Sequence, residues 1–261
     1  MKWKKIRIEE IKLNEKYSLV GGPFGSNLSG KHYVSIGVPV IRGGNLPFNK
    51  KFDSTEFVYV SEKKANSLKS NTAHSGDIIF TQRGTLGQVG IIPFGEFERY
   101  IISQSQMKLT VDETICNSLF IYYYFRTEEC IKYIENLALS SGVPHINLGI
   151  LQKFKIPYPP LPTQKKIANI LSAYDDLIEN NNQRIQLLEE MAAEIYKEWF
   201  VRFRFPGYES ATFVDKEGKK VPQGMDGALP LGWERVRLGN VIEQVKRKPK
   251  INEGLSCLED A

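Results

Sequence analysis

Residues 167–199 carry a seam position every three or four residues without a break. Alternating steps of four and three give Ile167, Leu171, Tyr174, Ile178, Asn181, Ile185, Leu188, Ala192, Ile195 and Trp199, a seam with one polar member. No Gly or Pro interrupts it. A mean spacing of 3.5 residues places these side chains on one stripe of an α-helix that supercoils about a partner. At 1.5 Å per residue the seam is roughly 48 Å long. The first 160 residues offer too little surface to cover such a stripe, so a second helix is expected there. Asn181 would set register and partner choice at some cost in stability. Thr163 is the expected N-cap, and Pro206-Gly207 the expected stop.

Ahead of the seam the periodicity changes. Short β-rich runs recur: "KKIRI", "VPVI", "EFVYV", "DIIF", "QVGII", "YII" and "MKLTV". Turn signals such as "RGGN", "HSGD" and "RGTLG" separate them. Helical spacing follows in "NSLFIYYYFRTEECIKYIENLAL" and in "INLGILQKF". The mixture predicts an α+β fold, a β-rich domain followed by a long coiled-coil-forming helix. Four prolines between 157 and 162 predict an extended, stiff spacer between them. Beyond the helix, "WERVRL" at 233–238 repeats "WKKIRI" at 3–8 in step. That repeat predicts the first strand of a second copy of the domain. An isolated strand lacks a sheet, so the tail "KRKPKINEGLSCLEDA" is expected to be poorly ordered. The expected segments are therefore a domain at 1–160, a long helix at 161–205, and a linker with an incomplete second domain at 206–261.

Charge is unevenly placed. The net charge is +5, and residues 1–160 hold 20 basic against 14 acidic side chains. The helix and the last segment carry no basic excess. A surplus confined to one domain suits a phosphate-backbone partner. The first residues, "MKWKKIRIEE", hold no apolar run of secretory type. Three dispersed cysteines, Cys116, Cys130 and Cys257, fit neither a disulfide framework nor a zinc site and suit a reducing cytoplasm. With three scattered histidines besides, no catalytic or metal centre is expected.

"GGPFGSNLSGKHY", residues 21–33, comes close to the phosphate-cradling pattern G-x-x-x-x-G-K-[S/T]. His32 stands where the Mg²⁺-ligating hydroxyl belongs, and "YVSIGVPVI" follows where a helix belongs. Asp77 opens "DIIF" rather than closing a strand. Methyltransferase chemistry fails as well, since "YPPL" has Tyr158 in place of the amide or acid of the catalytic tetrapeptide. What remains is a glycine-rich basic loop with Ser26, Asn27, Lys31 and His32. Two more loops share its character: one with Arg42 and Asn45, the other with Gln82, Arg83 and Gln88. "SQSQ" at 103–106 adds donors and acceptors. Arg against guanine and Asn or Gln against adenine are the common base-edge pairs, and Lys suits phosphates. Each loop taken alone reads better as a plain surface turn.

The whole pattern resembles the specificity subunit of type I restriction-modification systems. The stretches that carry the resemblance are "GGPFGSNLSGKHYVSIGVPVIRGGNL", "GDIIFTQRGTLGQVGII", "LPLGWERVRL" and the run from "SGVPHINLGILQKF" through "YPPLPTQKKIANILSAYDDLIENNN" to "YKEWF". Such a subunit has two target recognition domains, each reading half of a bipartite DNA site. Two long helices separate them and pair as an antiparallel coiled coil. The resemblance implies a non-catalytic, cytoplasmic protein that binds double-stranded DNA and docks modification subunits. S-adenosylmethionine is expected on those subunits; ATP and Mg²⁺ are expected with the restriction subunits. The stretch "GVPHINLGIL" is expected to pack the domain on its helix, with His145 and Asn147 read as structural and DNA contact as the alternative. This sequence departs from the pattern, with one domain and one helix. A half-size or truncated subunit that dimerises would read an interrupted palindrome. The alternative is a remnant, or a coiled-coil assembly module that no longer reads DNA.

Overall fold

The computed structural model describes residues 3–139 and 145–241. The chain divides into two compact units, residues 1–183 and 184–261.

In the first unit β1 (Lys5–Arg7) and α1 (Ile8–Ile11) lead into β2 (Leu19–Gly21), β3 (Tyr33–Val34), β4 (Val38–Ile41) and β5 (Val58–Val60). Then come α2 (Glu62–Ser67), β6 (Thr72–Ala73), β7 (Ile78–Thr81), β8 (Val89–Ile91), β9 (Tyr100–Ile102) and β10 (Gln106–Leu109). Helices α3 (Ser118–Phe125), α4 (Glu128–Leu139) and α5 (Leu148–Lys153) follow, then β11 (Lys155–Pro157) and the long α6 (Leu161–Tyr196).

Two sheets form the domain. One is antiparallel in the order β2-β10-β7-β8; the other runs β3-β5-β4-β9-β6, with β4 and β9 parallel. Period-two alternation decides where each side chain goes. On β7, Ile78 and Phe80 face the helices, while Ile79 joins Ile41, Ala73, Tyr100 and Ile102 in a second apolar cluster. On β4, Val38 and Val40 belong to a third cluster with Leu28, Val60 and Leu68, and Ile41 to the second. Both faces of these strands are covered, which is why they read as unbroken apolar runs. Asp77 is buried 3.5 Å from the Lys108 ammonium. It also accepts from the His74 amide at 2.8 Å and from the Thr110 hydroxyl.

The α+β expectation matches the fold, and all seven quoted β-rich runs contain strands. Helical spacing after Asn117 resolves into two helices, because Arg126 and Thr127 turn the chain and the Thr127 hydroxyl accepts from the Cys130 amide. Asn147 caps α5 by accepting from the Ile150 amide at 2.9 Å. Ile146, Leu151, Ile167 and Ala168 share the main core, which ties α5 to α6. Positions 142–144 of "GVPHINLGIL" lie outside the described residues.

Three expectations need correction. α6 begins at Leu161, so the proline spacer stops earlier and Thr163 is not the cap. The Pro160 carbonyl accepts from Thr163 and Gln164, at 2.8 and 3.1 Å. Pro162 is tolerated because first-turn amides have no helical partner. At its other end α6 passes into the second unit, stops at Tyr196 and continues as a π turn, Lys197–Val201, short of Pro206. Phe203 takes a left-handed backbone conformation with φ of 54°, and the rings of Phe200, Phe203 and Phe205 gather on Trp233. Thirdly, "WERVRL" is not a strand. Its counterpart β1 exists by pairing with β11, Ile6 opposite Ile156. Among the described residues no strand pairs with Val236. The second unit's sheet is instead β13-β12-β14, from β12 (Phe213–Val214), β13 (Lys220–Val221) and β14 (Leu229–Pro230). The tail expected to be poorly ordered lies outside the described residues from position 242. No helix among the described residues is long and apolar enough to cross a membrane.

Candidate nucleic-acid interface

Topology brings the glycine-rich loops together. β4 and β9 are parallel neighbours, so the turns that follow them share one end of their sheet. β10 runs antiparallel to β2 and β7, so the turn before β10 lies beside the turns after those two strands. Residues 22–32, 42–45, 82–88 and 103–106 therefore meet at one end of the domain. These four loops contain no carboxylate.

The "SQSQ" turn is their hub. The Ser103 amide donates to Ile41 at 2.9 Å, the Gln82 amide to Ser105 at 2.7 Å, and the Gly22 amide to Gln106 at 2.8 Å. The Gln104 carboxamide donates to the carbonyls of Gly25 and Leu28. Gly22 passes so close that a Cβ there would lie 1.9 Å from the Ser103 carbonyl oxygen. Gln106 is fully buried, and the Ser103 hydroxyl donates to it. The Gln104 side chain and the Gln106 main-chain carbonyl hold the loops together, a use that the sequence reading, which gave these residues to the ligand, did not foresee.

Around the hub the residues singled out from sequence divide in two. Residues 22–32 fold into two 3₁₀ turns with Ser26, Asn27 and Lys31 exposed. His32 closes the second turn, its Nδ1 accepting from the Ser29 amide at 3.1 Å. Arg42 and Arg83 are exposed, and Gln82 and Gln88 half-buried. Asn45 is not available to a ligand. It is 2% exposed, accepts from the Arg42 amide, and donates to the carbonyls of Asp53 and Glu56 at 2.9 and 3.0 Å. Among the described residues no ion pair forms with Lys31, Arg42 or Arg83. Three cations thus stand on loops that carry no carboxylate, an arrangement suited to phosphates and base edges. Phe24, 89% exposed on one of these loops, escaped the sequence reading. The signal was an aromatic side chain set between glycine turns in "GGPFG". No group of three or more His, Cys, Asp or Glu among the described residues could hold a metal ion.

The seam has a second geometry. Ile167 is consumed by the domain core, while Leu171, Tyr174, Ile178, Asn181, Ile185, Leu188, Ala192, Ile195 and Trp199 are exposed. The first turns of α6 are fixed by Gln164, fully buried, which accepts from the Asn117 amide at 2.9 Å and donates to the Pro159 carbonyl at 2.9 Å. Lys51 adds contacts to Ser172 and Asp176, and the Tyr123 hydroxyl donates to Asp175 at 2.8 Å. Sequence reading missed Gln164, since a polar residue beside prolines signals nothing without its tertiary partners.

Comparison with known proteins bears on both geometries. Residues 2–190 match the family model described as the type I restriction modification DNA specificity domain. The type I restriction enzyme MjaIX specificity subunit of Methanocaldococcus jannaschii is 28% identical over 210 residues, covering 77% of this chain and 46% of that protein. The HindI specificity subunit of Haemophilus influenzae is 27% identical over 193 residues, covering 72% and 41%. The crystal structure of the type I restriction-modification S subunit from M. genitalium matches with a TM-score of 0.52 at 16% identity, over 76% of this chain and 46% of that one. That last likeness is one of fold. The chain spans less than half the length of these relatives.

Proposed function

The chain belongs to the type I restriction modification DNA specificity family, and on that premise we propose that it reads one half of a bipartite DNA site and docks modification subunits. Residues 1–160 are the recognition domain, and the helix that starts at Leu161 and ends by Val201 is the docking element. The observation that carries the reading is the meeting of four carboxylate-free loops at one end of the domain, with Lys31, Arg42 and Arg83 exposed there. Lys31 positions the duplex through phosphate, while Arg42, Arg83, Gln82 and Gln88 address base edges in the major groove. The chain itself supplies no chemistry. S-adenosylmethionine belongs to the modification subunits, ATP and Mg²⁺ to the restriction subunits, all in the cytoplasm.

The exposed seam favours a second reading, a coiled-coil assembly module without sequence readout. Selection from random duplex DNA, with the chain co-purified with its modification subunit, separates the two. An enriched interrupted palindrome means two copies reading together. An enriched single half-site means a recognition domain working alone. No enrichment with the modification subunit still bound leaves the assembly module. Arg83→Ala should cost about 1–3 kcal/mol of binding and relax one base position if Arg83 reads guanine. An equal loss on all sequences would make it a phosphate contact.

A further inference from the structure

On the same domain a groove of about 1000 Å³ opens between α4, α5 and the β1–β11 ribbon. Its apolar wall includes Tyr124, Tyr133 and Phe154, with the Tyr133 and Phe154 rings edge-on at 5.3 Å. Lys5, Lys153 and Lys155 line it as well, all exposed and, among the described residues, without an ion pair. Register explains two of them. Lys5 lies opposite Pro157 and Arg7 opposite Lys155, so Lys5 and Lys155 share the outer face of the ribbon while Ile6 and Ile156 turn to the core. Lys153 comes from the last turn of α5. Among the described residues Glu129 is the one acid lining the groove, against four lysines once Lys132 is counted, and Lys132 is paired with Glu128.

The groove begins two residues along the chain from a contact with the loop face. His145 forms a β-bridge with Arg83, and the Ile146 amide donates to the Gln82 carbonyl at 3.2 Å. The next residue, Asn147, lines the groove. Three residues span at most roughly 10 Å. A duplex strand presents a phosphate about every 3.4 Å of axis, so the step from Arg83 to the groove is on the order of three phosphates.

We infer that this groove is a phosphate track for duplex DNA flanking the recognised bases, with Lys5, Lys153 and Lys155 as its cations. It rests on the DNA-reading proposal, extends the footprint beyond the readout loops, and adds affinity without sequence preference.

The test is the salt dependence of binding by the full chain, co-purified with its modification subunit, on the selected duplex and on a scrambled one. Lys5→Gln with Lys153→Gln and Lys155→Gln should make the slope of log K against log[salt] shallower by roughly 2–3, at about 0.9 for each phosphate no longer neutralised. The base preference should stay as in the parent. Lys216→Gln with Lys219→Gln, a charge change in the second unit, should leave the slope alone. Should the triple variant not fold, Lys5→Gln and Lys155→Gln alone should each lower the slope by about 0.9. An unchanged slope with intact site selection overturns the track and leaves the readout proposal standing. Loss of the modification subunit at an unchanged slope also overturns it, making the groove a protein dock. A parent protein that binds no DNA ends both proposals together.

Discussion

Asn45 and Arg42 stand three residues apart in one turn, and the fold uses them differently. The Asn45 carboxamide joins the Arg42 amide to carbonyls eight and eleven residues onward. Truncation would leave three partly buried main-chain groups without these partners, at about 1 kcal/mol or more each. Asn45→Ala should therefore lower stability by about 2–3 kcal/mol in urea unfolding. Arg42→Ala should leave the urea midpoint alone and weaken DNA binding. If the two variants instead behave alike in both assays, the division between scaffold and contact fails. The cysteines make a second residue-scale case. Burial pushes the thiols of Cys116 and Cys130 up to about 12, from an ordinary 9.0. Thiolate is the reactive form, so neither should be alkylated in the native protein at pH 8. Both should react in denaturant, read by mass spectrometry in a Cys257→Ser background. The sign for stability follows from linkage. A folded-state value above the unfolded one means the contribution is complete below pH 9 and is lost as pH rises toward 12, because the unfolded chain releases the protons first. A pH titration of the urea midpoint across that window checks the slope.

At the scale of elements, what the sequence disclosed and what it concealed have physical reasons. β4, β7 and β9 were legible because both faces are buried and the chain writes that as continuous Val, Ile and Phe. The seam was legible because 3.5-residue spacing over thirty positions has few other uses. "WERVRL" misled because a strand is a pairing and not a property of six residues; β1 has β11 to pair with. The loops were legible as candidates only. Nothing in "RGGN" distinguishes an Asn that reads bases from one that holds a turn, and nothing in "SQSQ" shows that its glutamines bind the loops to one another. Gln164 belongs to the concealed class and carries an element-scale prediction. It joins the start of α6 to α3 and to the proline segment. Gln164→Ala would leave the Asn117 amide and the Pro159 carbonyl unpaired in the interior, at a cost of about 2–4 kcal/mol. Hydrogen exchange should show faster opening of the first turns of α6, with protection in β7 and β10 kept. Equal loss in all three would mean that the helix and the sheets open as one unit.

For the molecule as a whole, the unresolved demand is the uncovered stripe of α6. Tyr174, Ile178, Ile185, Leu188 and Ile195 are each about half exposed or more, an apolar face that water tolerates poorly over such a length. In the 261-residue chain a second copy can cover it, seam against seam, with Asn181 as the polar member that selects register. Ile185→Asp with Leu188→Asp places two carboxylates in that face. The helix need not unfold, because both positions are already exposed in the isolated chain, so circular dichroism should be unchanged. The mass by light scattering should fall from dimer to monomer, and the modification subunit should no longer co-purify. A single recognition domain should still hold DNA weakly through Lys31, Arg42 and Arg83, and selection should return a half-site instead of an interrupted palindrome. A variant that remains dimeric would place the pairing surface elsewhere. A monomeric variant that still returns a palindrome would show that two-fold reading comes from the DNA-bound modification subunits rather than from paired helices.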